Sequence, residues 1–189
     1  MRKAESQDRR RNATKRAGTF VYQAIVDTPK GSRNKYKIDK ESGRFKLAGV
    51  LTAGAVFPYD FGYLPETLGE DGDALDVLIL MDEPAFVGCQ IEIRVIGVIE
   101  AEQTEDGKTV RNDRLIAVAV ESHSFKRVRD LAEINRRLLD EIEHFFVSYN
   151  QIKGKVFEPA RRSGRARAKA LIAEGMRSYQ RQQGMKSGD

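Results

Sequence analysis

The chain has 189 residues, of which 40% are hydrophobic and 32% charged, and a formal net charge of +5. This length suits one domain with a buried core rather than two. No apolar stretch approaches the roughly 20 residues that a membrane-spanning helix requires, and the single cysteine, Cys89, excludes an internal disulfide.

The cysteine and histidine counts also limit the kind of metal site. One cysteine and two histidines argue against a Cys/His zinc site, so any metal is expected to be a hard cation bound by oxygen. The N-terminus is rich in arginine but lacks the apolar segment of a secretory signal. We therefore expect a cytoplasmic protein without membrane attachment.

The charge is concentrated at the two ends of the chain. Residues 1–17 carry seven Lys/Arg against two acids, residues 160–189 carry eight against two, and the intervening 18–159 carry 18 against 24. We predict a disordered basic tail over 1–17, a folded domain over 18–159 and a basic helix and tail over 160–189. Since no nucleic-acid-binding motif accompanies the basic ends, they are expected to be solvated and not to bind nucleic acid.

The first half of the chain reads as strands and turns. "TFVYQAIVD" (19–27) is rich in β-branched and aromatic residues and predicts a strand. "KYKIDKESGRFKL" (35–47) alternates apolar and charged residues around a turn, which predicts a hairpin. "AVFPYDFGYLP" (55–65) mixes aromatics with Pro and Gly and is interpreted as irregular. Three further strands are predicted over 75–80, 90–102 and 114–120.

The helices come late. An amphipathic helix is predicted from apolar residues at three- and four-residue spacing, namely Leu131, Ile134, Leu138, Ile142, Phe145 and Tyr149. A second, basic helix is predicted over about 163–182, entered after Pro159 and ended near Gly184. Strands first and helices last predict an α+β, mainly β fold: a single domain with a closed or highly curved antiparallel barrel and flanking helices.

An acidic cluster stands directly before the predicted strand 75–80, in "EDGDALDVLIL" (70–80). An EF-hand loop is excluded because Gly72 and the acids have the wrong spacing. An Asx-type turn would explain Asp71 but not Asp76, which lies inside the apolar run. A carboxylate in that position needs a cationic partner or a metal. The cluster therefore predicts an oxygen-rich site for Mg²⁺ or Mn²⁺.

This stretch resembles the signature of the soluble inorganic pyrophosphatases, in which D-x-D-x-x-D precedes an apolar strand. Further motifs of that family appear in order over residues 19–153: "KYKIDKESGRF", "FPYDFGYLPETL", "VIGVIE", "LIAVAV" and "IEHFFVSYN". The resemblance implies a five-stranded OB-like barrel with helices packed on it. It also implies Mg²⁺-dependent hydrolysis of inorganic pyrophosphate by a metal-activated water, and assembly into homo-oligomers.

The resemblance assigns roles to several residues. Asp71 and Asp76 would bind metal, and Asp73 would be the base or the hydrogen-bond partner of the attacking water. Asp27 would lie near further metals. Lys35 and Tyr149 would bind phosphate and share in catalysis, although a solvated lysine and a core tyrosine are the plain alternatives. The remaining implied residues are Arg114 for substrate, Tyr63 in the aromatic wall, and Asp106 or Asp113 as a replacement metal ligand.

The chain also departs from the family pattern, as a divergent member would. Gly49 stands where the family has a phosphate-binding arginine, and Asn150 replaces a lysine. Asn112 replaces a metal-binding aspartate. Phe61 replaces a tyrosine, and Lys37 replaces an acid. These losses imply weakened activity or a different small diphosphate as substrate.

Two further possibilities remain at this point. In the first, Arg44 or Lys46, on the neighbouring strand, reaches the space opened at Gly49. In a different class of function, the chain would be a non-catalytic pyrophosphatase-like protein whose basic tails bind an acidic partner.

Overall fold

The computed structural model describes residues 13–16 and 19–186. The elements in chain order are strands β1 (Ala13–Arg16), β2 (Thr19–Thr28), β3 (Asn34–Ile38), β4 (Phe45–Val50), β5 (Asp60–Tyr63), β6 (Asp76–Leu80), β7 (Gln90–Glu105), β8 (Lys108–Arg111) and β9 (Arg114–Ala119), a 3₁₀ turn (Leu131–Glu133), helix α1 (Arg136–Ile152), strand β10 (Val156–Gly164) and helix α2 (Arg165–Lys186).

Five strands close into a ring in the order β2, β5, β6, β9, β7 and back to β2. The predicted five-stranded barrel is thereby confirmed. One of its five pairings differs from the expected antiparallel pattern, because β6 and β9 run parallel. Parallel neighbours need a long connection, which β7 and β8 supply between them. The predicted hairpin is also confirmed, as β3 and β4 form a separate two-stranded sheet.

The ring strand β5 was not predicted, since residues 55–65 were interpreted as irregular. It is only four residues long, and prolines flank it. Its backbone approaches β2 closely: a Cβ at Gly62 would lie 2.0 Å from the carbonyl oxygen of Ile25. The buried carboxylate of Asp60 fixes the start of the strand by accepting the backbone N–H groups of Lys30 and Ala85 at 2.6 and 2.8 Å. The glycine that argued against a strand is thus what permits one.

Both faces of the ring strands are buried. On β6, Val77 and Ile79 belong to one apolar cluster, whereas Leu78 and Leu80 belong to another. Helix α1 covers the second face, and α2 contributes Ala168, Leu171 and Ile172 to the first cluster. Burial on both faces explains why β6 reads as a continuous apolar run rather than an alternating one.

Both predicted helices are present, but each begins at a later residue than predicted. The turn at Leu131 is a separate 3₁₀ segment, and α1 begins at Arg136. The most buried side chains of α1 are those of Leu139, Ile142, Phe146 and Asn150. Helix α2 begins at Arg165 and runs past the predicted end near residue 184.

The C-terminal strand β10 was missed, because Pro159 and a run of arginines do not resemble a strand. It pairs with β7 and shifts register between Pro159 and Arg161. Glu100 on β7 stabilises this pairing by accepting hydrogen bonds from Arg161 and Ser163, and it also accepts from Arg167 of α2. Because β10 spans the predicted boundary between residues 159 and 160, the basic C-terminal segment is part of the barrel domain and not a separate unit.

At the N-terminal end, β1 pairs with residues 19–22 of β2. The disorder predicted over residues 1–17 is therefore wrong for 13–16. β5 pairs only with the later part of β2, so it leaves one edge of β2 unpaired at residues 19–22. Pairing with β1 satisfies the backbone hydrogen-bonding groups along that edge. The rest of that tail, and residues 187–189 of the other, lie outside the described residues.

Within the described part of the chain, neither helix has the length and apolar character needed to cross a bilayer.

Candidate active site

Asp76 is the first residue of β6, and its carboxylate is paired with Arg114, the first residue of the parallel neighbour β9. Arg114 Nη1 lies 2.7 Å from Asp76 Oδ2, and the arginine side chain is only 5% exposed. The guanidinium packs among the rings of Phe61, Phe146 and Phe157, with centroid distances of 6.0, 5.3 and 5.1 Å. This aromatic surround holds a buried cation beside the carboxylate.

Burial raises the pKa of Asp76 to about 6. Arg114 and Lys35 oppose this rise, whereas the negative charges of Asp27 and Asp71 add to it. The positive charges of Arg114 and Lys35 thus do not fully offset the loss of solvation at this carboxylate. A further cation would be favourable there.

Asp73 lies in the turn before β6 and is held by the β3–β4 hairpin. Its two carboxylate oxygens accept hydrogen bonds from Lys37 at 2.7 Å and Lys40 at 2.9 Å. Although burial opposes it, these lysines lower the pKa of Asp73 below its usual range. Lys37, which stands where the resemblance expects an acid, thus neutralises an acid of the cluster instead.

Asp27 and Lys35 form a second buried pair, with 2.7 Å between Lys35 Nζ and Asp27 Oδ1. The ammonium group lies 4.3 Å from the centroid of the Phe61 ring and 5.5 Å from that of Phe57. Burial raises the pKa of Asp27, and Lys35 opposes the rise. Lys35 is therefore not a solvated lysine but a largely buried cation held by Asp27 and by the aromatic rings of Phe57 and Phe61.

A cavity of about 290 Å³ brings carboxylates from three parts of the chain together. Asp71 and Asp76 line it from the signature, Asp113 from the segment before β9, and Glu174 from α2. Its other polar lining residues are Glu70, Arg111, Asn112 and Ser178. The chain thus gathers acids that are about a hundred residues apart.

The two candidates for a replacement metal ligand have different positions. Asp113 lines the cavity, but Ala101 N–H and Arg111 already donate to its carboxylate. Asp106 lies in the turn between β7 and β8, with a positive φ of 51°. Asn112, in place of the expected acid, donates to Gln103 on β7 at 3.1 Å and accepts from Arg114.

Tyr149 lies near the end of α1, between aromatic rings and a lysine. Its ring stacks on Phe145 and meets Phe57 edge-on, and burial raises its pKa to about 12. Its hydroxyl accepts a hydrogen bond from Lys153 Nζ at 2.5 Å. Tyr149, Lys153, Lys35 and Gly49 line a second cavity of about 70 Å³.

Tyr63 and Arg44/Lys46 complete the predicted set. Tyr63 faces Asp76 in the register of β5 and β6, and burial, followed by the charge of Asp27, raises its pKa. Lys46 pairs with Asp39 in its own hairpin at 3.1 Å. Neither Arg44 nor Lys46 lines the cavity at Gly49.

The donor chemistry fits a hard divalent cation, since every acid of the cluster offers carboxylate oxygen. Over residues 13–16 and 19–186, however, no three Asp, Glu, His or Cys side chains form a group that could hold a metal as they stand. Asp27, Asp73 and Asp76 have lysine or arginine partners instead. A bound metal would exchange these ion pairs for its own coordination.

Comparison with known proteins decides the family. The sequence model described as inorganic pyrophosphatase matches residues 24–180. The chain belongs to the inorganic pyrophosphatase family. The match includes the acidic signature, α1, most of α2 and every ring strand except the first half of β2, so it covers the site.

Relatives and solved structures agree with this family. An inorganic pyrophosphatase of Geobacillus stearothermophilus is 40% identical over 164 residues, covering 86% of this chain and 96% of that protein. One of Halalkalibacterium halodurans is 39% identical over 159 residues, covering 84% and 95%. The crystal structure of inorganic pyrophosphatase from Thermus thermophilus has a TM-score of 0.80 at 30% identity, covering 88% and 95%.

Sequence reasoning missed several residues of this pyrophosphatase site. Glu174 and Gln103 reach it only because α2 and β7 pack there, and no spacing signal marks them. Lys40 reaches Asp73 from the hairpin turn. Lys153 was detectable, because it follows Tyr149 by four residues on the same helical face.

Proposed function

We propose that this chain hydrolyses inorganic pyrophosphate to two phosphates with Mg²⁺, for which Mn²⁺ can substitute. The observation that carries the proposal is the position of Asp76, which lines the acidic cavity with Asp71, pairs with Arg114 and is influenced by the charge of Lys35. In the reaction, a water oxygen attacks one phosphorus, the bridging P–O bond breaks and the second phosphate leaves. The family membership supports both the reaction and its metal dependence.

The carboxylates would hold the metal. Asp71 and Asp76 are the proposed ligands within the signature. Asp27 and Asp113 are proposed as further ligands from outside it. When bound, Mg²⁺ lowers the pKa of water and neutralises charge on the diphosphate. Asp73 has a pKa below its usual range and is a weak base, so we assign it the role of accepting a hydrogen bond from the attacking water and orienting it.

The cations would hold the substrate. Lys35 and Arg114 are fixed by ion pairs and aromatic contacts, so their charges are positioned before pyrophosphate binds. Preorganised charges stabilise the negative charge that develops on the leaving phosphate without reorganisation. The buried phenol of Tyr149 stays protonated at neutral pH and can donate to a phosphate oxygen.

Phosphate release by purified protein tests the proposal. We expect turnover with Mg²⁺ and with Mn²⁺, and its loss in Asp76→Asn. Glu141→Gln, which removes an exposed acid on α1, is the matched control and should retain full activity. Folded wild-type protein that released no phosphate with either metal would overturn the assignment.

A second substrate class is favoured by one feature. The 70 Å³ cavity beside Gly49 has apolar walls from Leu51, Ala55 and Phe145, which suit a small organic group on one phosphate. Release of phosphate from methyl diphosphate at a rate near that from pyrophosphate would support this reading. Release from pyrophosphate alone would exclude it. Homo-oligomer assembly and a cytoplasmic location stay predictions.

A further inference from the structure

Lys153 directs a positive charge at the hydroxyl of Tyr149. It caps the C-terminus of α1, and its backbone N–H bonds to the carbonyl of Asn150, which fixes the start of the side chain. The ammonium group then folds back one helical turn, to 2.5 Å from Tyr149 Oη and 4.4 Å from the centroid of its ring. This conformation brings Lys153 to the cavity that Lys35 and Gly49 also line.

The charge of Lys153 is not neutralised by a neighbouring carboxylate. Lys35 pairs with Asp27, and Lys155 pairs with Glu105 at 2.7 Å. Within the described residues, Lys153 has no acidic partner at ion-pair distance. Partial burial lowers its pKa, the positive charges of Lys35 and Lys155 lower it further, and the charge of Glu105 opposes the fall without reversing it. Lys35 and Lys153 bring two positive charges to the same cavity, which favours an anion bound between them.

Asn150, which directly follows Tyr149, does not supply a positive charge to this cavity. Its side chain is buried, and the amide donates to the carbonyl of Phe146 at 2.8 Å. The residue that directly follows Tyr149 therefore points into the core rather than toward Lys35. Lys153, one turn later on the same face as Tyr149, is the cation that reaches this end of the site.

We propose that Lys153 is a substrate-binding residue that, together with Tyr149 and Lys35, holds a terminal phosphate of the diphosphate. The inference rests on the proposed function for its ligand. A phosphate oxygen placed between the two lysines would accept charge-assisted hydrogen bonds from both. Because Gly49 has no side chain and an added Cβ would meet nothing within 4 Å, the cavity stays open for that group.

A purely structural role is the alternative, because a lysine at a helix C-terminus interacts favourably with the helix dipole. That role would affect the melting temperature but not substrate affinity. The test therefore compares three variants: Lys153→Met, Lys153→Arg, which keeps the charge, and Lys155→Met, which removes a nearby lysine already paired with Glu105. Each is measured for KM with pyrophosphate and for binding of imidodiphosphate, a non-hydrolysable analogue, by calorimetry with Mg²⁺.

We expect Lys153→Met to raise both KM and the dissociation constant of imidodiphosphate about tenfold, as loss of one charged hydrogen bond does. Lys153→Arg should recover most of the affinity, and Lys155→Met should change it less than about twofold. Unchanged affinity in folded Lys153→Met would overturn the inference. Wild-type protein that binds imidodiphosphate in a Lys153-dependent way but releases no phosphate would instead overturn the proposed function. If Lys153→Met does not fold, Lys153→Gln is measured in the same way.

Discussion

Arg114 and Asp76 pair across the parallel strands β9 and β6, with 2.7 Å between Nη1 and Oδ2. The pair connects the acidic signature to the aromatic interior, because the same guanidinium packs on Phe146 and Phe157. Arg114 Nε is buried and has no hydrogen-bond partner within the described residues. Arg114 is thus held by its ion pair with Asp76 and by packing on the phenylalanine rings, although its hydrogen-bonding capacity is not fully used.

Replacing Arg114 should impair activity in a graded way. Arg114→Met leaves Asp76 without its cation and should lower kcat/KM by at least about thirtyfold. Arg114→Lys keeps the charge but not the planar contact with the rings, so an intermediate value is expected. The measurement is pyrophosphate hydrolysis. Arg137→Met, at an exposed pair on α1, should leave kcat/KM as in wild type, and an equally active Arg114→Met would contradict the assigned role.

Gly49→Arg should strengthen substrate binding. Gly49 faces Lys35 in the β3–β4 hairpin, and nothing lies within 4 Å of a Cβ built there, so a longer side chain has room. A guanidinium at this position could reach the phosphate and lower KM by about tenfold, the worth of one charged hydrogen bond. Gly49→Ala, which adds no charge, should leave KM unchanged. An unaltered KM in Gly49→Arg would mean that the guanidinium does not reach the substrate.

Magnesium should stabilise the fold through the acidic cluster. Since the carboxylates around Asp76 repel one another, a cation bound there stabilises the native state by about 2.7 kcal/mol at a hundredfold excess over its dissociation constant. We expect Mg²⁺ to raise the melting temperature of metal-free wild-type protein, and Asp76→Asn to lose most of this rise. Sodium at matched ionic strength serves as the control. An equal rise in both proteins would place the cation elsewhere.

Glu100→Gln should destabilise the protein, since Glu100 joins β7 to β10 and α2. The side chain is 11% exposed and pairs with Arg111, Arg161 and Arg167. Glutamine keeps one acceptor oxygen but replaces the other with an NH₂ donor and removes the charge, at a cost of about 3 kcal/mol in the free energy of unfolding. Denaturant titration measures the change. Glu102→Gln, an exposed position on the same strand, should cost little; equal losses would contradict the account.

The contribution of Glu100 should also depend on pH. Burial alone would raise its pKa, but hydrogen bonds from Ser163, Arg167 and Arg161 lower it to about 2, from 4.5. The stabilisation is therefore present above about pH 4.5 and is lost as the pH falls toward 2, by about 3 kcal/mol in total. We expect the stability difference between wild type and Glu100→Gln to shrink over this range. A difference independent of pH would show that the charge of Glu100 is not responsible.

Local sequence patterns predicted the strands and the helix whose own residues strongly favour that secondary structure. Strands β2, β6, β7 and β9 are rich in Val, Ile and Leu, and α1 has a clear helical period. Strands β5 and β10 were missed because their stability comes from partners: the close approach of Gly62 to β2, and the arginines that bind Glu100. Residues 13–16 likewise form a strand only because an edge of β2 is free.

The sequence by itself determined the family, because its motifs are ordered as in that family, and the position of Asp71, Asp73 and Asp76 before an apolar strand, because this follows from local spacing. The five-stranded barrel followed from the resemblance to the family and not from the predicted strands. Only the tertiary structure decided which cations meet which acids. Lys37 and Lys40 reach Asp73 from a hairpin some thirty residues away, and Arg114 reaches Asp76 through a parallel pairing. Such contacts depend on strand register and on where loops return the chain, and a charged side chain carries no local signal of its distant partner.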